Sequence, residues 1–340
     1  MRGIVFLGDR RLRIQEFADP EPADGEVVVR MKATGICGSD LHVYRRDADT
    51  FRGAEPMIVG HEPSGVVESV GAGVERIKPG DRVCVNHYRS CGHCPHCAGG
   101  YLQWCSDARG YGGPIHGSHG DMLLTDERNC VVMPDEVSFV DGAFVACAGG
   151  TAYSGLRKLA VSGQDTLVVM GLGPVGLSAV LLGKAFGARV VGVDVIEERV
   201  ELARQLGADE AINGTTHDPV EAIRAMTGGE GADALYEASG SAPGRREGIK
   251  ALRRGGTGVF CGVGTEQETL NLTEIIGREL TLKGSFVLSL RLTHDLVGFL
   301  ASRKLSFEPI LTHSFSLDEA EEAYREADDS RTGKVAFTWS

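Results

Sequence analysis

The chain has 340 residues, with 47 acidic against 35 basic side chains and a formal net charge of −12 when histidine is neutral. At roughly 150 residues per domain this length suggests two domains and excludes a peptide hormone or a single small module. The negative balance offers no sequence-independent attraction to phosphate backbones, so a nucleic-acid partner is not expected. A composition of 42% hydrophobic and 24% charged residues is that of an ordinary globular protein rather than a disordered one. Only six uncharged residues separate Arg2 from Asp9, too few for the apolar core of a secretory signal, and a cytoplasmic location is expected. In a reducing compartment the nine cysteines read as metal ligands or core residues before disulfides.

From Arg2 to about Cys130, short β-branched runs (Val27 to Val29, Val66 to Val70, Val83 to Val85, Cys130 to Val132) are broken by Gly, Pro and Asp turns, which reads as a mostly β domain. From Thr166 the rhythm changes to strand then helix: Leu167 to Met170, a helix near Val175 to Phe186, Val190 to Val193, and a helix near Glu197 to Leu206. Further candidates are Glu210 to Asn213, a helix after Pro219, Ala234 to Ala238, a helix from about Arg245 to Leu252, Gly258 to Gly262 and Leu280 to Phe286. Six strands alternating with helices predict an α/β fold with a doubly wound parallel sheet. The tail carries amphipathic helical pieces (Leu292 to Ser302, Leu317 to Ala327) and a last strand, Lys334 to Thr338. The longest uncharged stretch, Thr166 to Gly183, has spanning length but contains Gly171, Gly173, Pro174 and Gly176; it reads as strand, turn and helix, and no membrane partner is expected.

The turn Gly171-Leu172-Gly173-Pro174-Val175-Gly176 follows an apolar strand and opens a helix, the context that a dinucleotide fingerprint requires. The first glycine permits the tight turn and the second lets backbone approach a pyrophosphate. The third allows close helix–strand packing, and the helix N-terminus faces the phosphate charge. Asp194, at the end of the second strand of this unit, is placed to bond a ribose 2′-hydroxyl and to repel a 2′-phosphate, favouring NAD over NADP. Arg199 either covers the adenosine ribose or is an exposed helix residue.

Cys91, Cys94, Cys97 and Cys105 form C-x2-C-x2-C-x7-C, with Gly92, Pro95, Gly99 and Gly100 allowing sharp folding around a centre. Four converging thiolates suit a closed, structural zinc. Two disulfides and an iron–sulfur cluster are the competing readings, the latter wanting a much shorter last spacing. His93 and His96 are expected on the exposed loop. A second group is dispersed: Cys37-Gly38-Ser39-Asp40-Leu41-His42, then Gly60-His61-Glu62, then the run from Cys147 to Tyr153.

These segments, the four-cysteine lobe and the dinucleotide turn, in this order and over essentially the whole chain, resemble the zinc-dependent medium-chain alcohol dehydrogenase family. The resemblance implies a GroES-like catalytic domain at 1–148 with its zinc lobe at 91–105, an NAD-binding Rossmann domain at 149–286, and a return to the catalytic domain at 287–340. It implies two zinc ions per subunit. The catalytic one is held by Cys37, His61 and Cys147, a Cys2His set that leaves one position open, and the structural one by the lobe. It also implies Asp40 bonded to the far side of His61, Glu62 approaching the metal during ligand exchange, and proton exit through Ser39 and the coenzyme ribose to His42. The implied reaction is hydride transfer between NAD and a small alcohol or its aldehyde or ketone, with a polyol, sugar or cyclitol dehydrogenase as the alternative.

Departures sharpen the reading. Gly38 stands where animal and yeast members place a basic residue on the coenzyme pyrophosphate; Lys334 either supplies such charge or is simply solvated. The 42 residues from Cys105 to Cys147 leave no room for the extra loop of dimeric animal enzymes, which favours a homotetramer. Cys147 replaces the Glu usual in the polyol branch, which weakens that alternative, whereas His87 and Tyr88, at substrate-lining positions, keep a hydroxylated substrate open. His116 and His119 are expected as surface loop residues, and Cys84, Cys130 and Cys261 as small core residues.

Overall fold

A computed structural model describes residues 1–340 apart from 265, 267 and 268. Its contacts divide into two units, one made of Met1–Gly150 and Leu288–Ser340, the other of Thr151–Val287.

The first unit is built on a seven-stranded sheet. Its central strand Glu26–Gly35 pairs antiparallel with Pro63–Val70 on one side; on the other it pairs with Met122–Asp126 through its first half and with Lys334–Thr338 through its last residues. Arg82–Val85 and Cys130–Val132 extend the sheet one way and Leu311–Phe315 the other. Glu26–Gly35 is buried along nearly its whole length, because Val27, Val29 and Met31 pack with Val67, Val83, Val85 and Leu123 in one core. A second core gathers Phe6, Tyr44, Tyr324 and Phe337. The hairpin Arg2–Gly8 with Arg11–Glu16 closes through Asp9 and Arg10, both at positive φ, the mirror-image turn that matches strand twist. The helix Gly38–Tyr44 leaves the end of the central strand, and the helix Phe139–Ala146 delivers Cys147 at its C-terminus.

The second unit is a six-stranded, all-parallel sheet. Its order is Glu210–Asn213, Arg189–Asp194, Thr166–Met170, Ala232–Glu237, Leu252–Phe260, Thr281–Gly284. Numbered along the chain this is 3-2-1-4-5-6, the doubly wound order whose direction reverses beside the first strand. After Thr166, strand Thr166–Met170 is apolar and buried because helices cover both faces of such a sheet. Two boundaries differ from expectation. The fifth strand starts at Leu252 rather than Gly258, directly on the end of the helix Ala242–Ala251, and its first half is glycine-rich and carries no strand periodicity. The last strand spans only Thr281–Gly284, since it pairs with nothing beyond Phe260.

Candidate active site and metal centres

Cys37 caps the helix Gly38–Tyr44, and Asp40, three residues on, serves two masters. One carboxylate oxygen accepts the Cys37 backbone N–H at 2.8 Å, and the other lies 3.0 Å from His61 Nδ1. A carboxylate there keeps the proton on Nδ1 and aims Nε2 at the thiols. Cys37 and Cys147 hold their sulfurs 4.0 Å apart, too far for a disulfide. Donor atoms of Cys37, His61, Cys147 and Glu62 all lie within 4.8 Å of one another. Tetrahedral zinc with bonds of about 2.3 Å to sulfur sets an S···S edge of about 3.8 Å, so the donor set fits that ion. The Cys147 thiol donating to Cys37 holds the Cys37 thiol well down and pushes Cys147 up: one proton between two sulfurs. Burial works against a charged His61, but Asp40 and Cys37 hold its pKa well above the usual range.

Glu62 is fully buried, and burial raises its carboxyl to about 7 against the pull of Lys334. Lys334 is neither solvated nor free to meet a coenzyme: it is 1% exposed, with Nζ 2.6 Å from the Glu62 carboxylate. The expectation fails because the C-terminal strand inserts beside the central strand, so its first residue points into the unit. Gly35 is required at the same spot, since a Cβ there would run into both Glu62 and Lys334. His119 is corrected too. It is buried, its Nε2 3.0 Å from the Gly35 carbonyl and its Nδ1 2.7 Å from the Tyr324 hydroxyl, and it closes the wall behind the ligands. His116 stays exposed and accepts the Ile58 N–H.

Ser39 Oγ lies 3.4 Å from His61 Nε2, and His42, one turn further along the same helix, is exposed. Residues three apart share a helix face, so Ser39 and His42 form a line from the ligands to solvent. The His87 ring packs at a tilt against those of His61 and Tyr88, with centroids 4.5 and 4.8 Å away. Burial pushes its pKa down to about 3, and its Nδ1 is buried without a hydrogen-bond partner.

The second thiol group sits on a lobe between the paired strands Tyr88–Arg89 and Arg109–Gly110. Gly92 and Gly100, both at positive φ, let the backbone turn around the sulfurs. The Cys91–Cys97, Cys94–Cys97 and Cys105–Cys91 sulfurs are 3.9, 3.5 and 3.5 Å apart. These again match the edges of a single tetrahedral ion, and a multi-iron cluster would need the sulfurs further apart. Backbone N–H groups of His93 and Cys94 lower Cys91 to about 6, so a thiolate is ready at neutral pH. His93 and His96 are exposed; Cys84 and Cys130 are buried core thiols, and Cys261 is partly buried beside the Tyr236 hydroxyl.

In the second unit Gly171 turns at φ +88°, Gly173 leaves open space, and a Cβ on Gly176 would strike the Gly171 carbonyl. Pro174 opens the helix Pro174–Ala185, with Val175 in its first turn. Asp194 ends the second strand, accepting Leu172 N–H at 2.6 Å through one oxygen and Val195 and Ile196 N–H at 2.7 and 3.0 Å through the other. Arg199 is half-buried, and its guanidinium lies 3.9 Å from where a Cβ on Gly173 would be. An open second glycine, a helix N-terminus and an adjacent carboxylate are the parts that a dinucleotide needs.

Two family models match the chain: Alcohol dehydrogenase GroES-like domain over residues 23–135 and Zinc-binding dehydrogenase over residues 174–302. An uncharacterized zinc-type alcohol dehydrogenase-like protein of Escherichia coli is 36% identical, covering 100% of this chain and 99% of its own. Sorbitol dehydrogenase of Arabidopsis thaliana is 35% identical over 98% of this chain and 93% of its own. Among solved structures, alcohol dehydrogenase TADH from Thermus sp. ATN1 matches with a TM-score of 0.92 at 31% identity over 99% of both chains. Galactitol-1-phosphate dehydrogenase from Escherichia coli matches with a TM-score of 0.89 at 25% identity over 100% of both. The fold and the ligand groups define a zinc-type oxidoreductase acting on alcohols with NAD. The chain belongs to the zinc-dependent medium-chain alcohol dehydrogenase family. The residues that the family resemblance names as ligands do converge in two groups, whereas the buried partners, Lys334 on Glu62 and Tyr324 on His119, were not expected. A lysine heading the apolar run Val335 to Phe337 was the available signal.

Proposed function

We propose that the protein interconverts a primary or secondary alcohol with its aldehyde or ketone, using NAD and two zinc ions per subunit. The convergence of Cys37, His61 and Cys147 beside Glu62 carries this reading. Zinc held by these ligands supplies Lewis-acid polarisation of the substrate oxygen. Asp40 holds the His61 ring in its ligating tautomer, Ser39 takes the proton leaving the substrate hydroxyl, and His42 passes it to solvent. The Glu62–Lys334 pair places a carboxylate near the ligands without leaving its charge uncompensated. Gly171, Gly173 and Gly176 seat the pyrophosphate, and Asp194 selects the unphosphorylated ribose. The catalytic ligands lie in the first unit and the NAD turn in the second.

The alternative is a polyol, sugar or cyclitol substrate, favoured by His87. A neutral ring with an unpartnered buried nitrogen beside His61 asks for a substrate hydroxyl. The relatives acting on sorbitol and galactitol-1-phosphate fit that reading; Cys147 in place of Glu fits the simple alcohols. No helix among the described residues is long and apolar enough to cross a membrane. The clustered free thiols support a cytoplasmic location, and the short Cys105 to Cys147 segment supports a homotetramer. The test joins metal analysis of the purified protein with NADH absorbance over a panel of simple alcohols and polyols. Two zinc per subunit with turnover of simple alcohols is expected. One zinc, or turnover confined to polyols, refutes the corresponding part.

A further inference from the structure

Glu237 ends the strand Ala232–Glu237, in register with Met170, the last residue before the glycine turn. Its side chain is fully buried. One carboxylate oxygen accepts three hydrogen bonds: from Ser239 N–H at 2.8 Å, Ser239 Oγ at 2.5 Å and Gly240 N–H at 3.0 Å. The other oxygen has no hydrogen-bond partner; Arg245 Nε stands 3.9 Å from the carboxylate while its Nη2 bonds the Gly262 carbonyl. Burial raises the carboxyl's pKa. A group this costly to bury needs a use, and its bonds all go to one loop.

That loop is pressed on the dinucleotide turn. A Cβ on Gly171 would stand 2.6 Å from both Cα and N of Ser239, and one on Gly262 would stand 2.8 Å from Glu237 Oε2 and from Gly240 Cα. Three loops at the carboxyl ends of adjacent strands are therefore wedged together around one carboxylate. In a doubly wound sheet the dinucleotide spreads across the switch point. Asp194 marks the adenosine side on one flank of strand Thr166–Met170, which leaves the Ala232–Glu237 flank to the nicotinamide half.

We propose that Glu237 is a positioning residue for the nicotinamide half of NAD, acting through Ser239 and Gly240. This rests on the reading of the second unit as an NAD site. The test is calorimetric binding of NAD and of ADP-ribose, which lacks the nicotinamide, to the full-length zinc-loaded protein and its Glu237→Leu, Glu237→Gln and Ser239→Ala variants. Glu237→Leu is expected to weaken NAD about tenfold while ADP-ribose changes by less than about twofold, the loss of a buried charged acceptor being felt on one half only. Glu237→Gln keeps an acceptor oxygen and is expected to stay within about threefold of wild type, and Ser239→Ala to show the same selectivity at smaller size. If Glu237→Leu fails to fold, Ser239→Ala decides. Equal weakening of both ligands, or of neither, overturns the proposal by reducing Glu237 to a structural role. Failure of the wild-type protein to bind either ligand instead refutes the NAD reading and the proposal with it.

Discussion

Lys334 and His119 show how much of this site depends on buried polar groups that find partners far away in the sequence. Replacing Lys334 with Met would leave the Glu62 carboxylate alone in the interior, and a loss of about 3–5 kcal/mol is expected in urea unfolding. Adding Glu62→Gln to that variant should recover most of it, because the uncompensated charge goes too. His119 makes stability pH-dependent. The Gly35 carbonyl can only accept, so Nε2 carries the proton and Nδ1 accepts from the Tyr324 hydroxyl. Burial lowers its pKa to about 4, below the roughly 6.5 of an unfolded histidine. The unfolded chain therefore takes the proton first as pH falls. The stabilising contribution is full above about pH 7 and is lost between about 6.5 and 4, amounting to about 3 kcal/mol. Melting temperature followed over that range should drop less steeply in a His119→Gln variant; an identical slope refutes this. The four cysteines of the lobe were legible because their spacing is local. These partners were not, since Lys334 and Glu62 are 272 residues apart in sequence.

Among the elements, the strand Thr166–Met170, its glycine turn and the helix Pro174–Ala185 behave as one device. Gly176 on the helix touches the backbone of Gly171, so the helix can approach only without a side chain there. Gly176→Ala is expected to lift the helix and raise the NAD dissociation constant at least about tenfold, with zinc content unchanged; unchanged NAD affinity in a titration counts against the fingerprint. Periodicity revealed this device because strand, turn chemistry and helix all agree locally. It missed the start of Leu252–Phe260, where Arg253, Arg254, Gly255 and Gly256 carry no strand pattern and bulge out of register between the Leu252 and Thr257 pairs with the neighbouring strand.

At the scale of the molecule, the second unit is continuous in sequence whereas the first is assembled from both ends of the chain. A fragment spanning 151–287 is expected to unfold cooperatively on heating. A fragment spanning 1–150 is not, because it lacks the strands Leu311–Phe315 and Lys334–Thr338 that finish its sheet and the lysine that neutralises Glu62. Cooperative melting of that fragment by circular dichroism would contradict this account. By itself the amino-acid sequence determined the parallel sheet with its glycine turn and the four-thiol lobe, because each is written in turn chemistry, periodicity or spacing within a few dozen residues; Cys37, His61 and Cys147, spread over 110 residues, were picked out only by the family resemblance. Only the tertiary structure decided which charges are buried and with whom: the Lys334–Glu62 pair, the neutral His119, and the Glu237 carboxylate beneath Ser239 and Gly240. Those outcomes depend on strands far apart in sequence meeting in one sheet, and on the desolvation that follows, which no local pattern encodes.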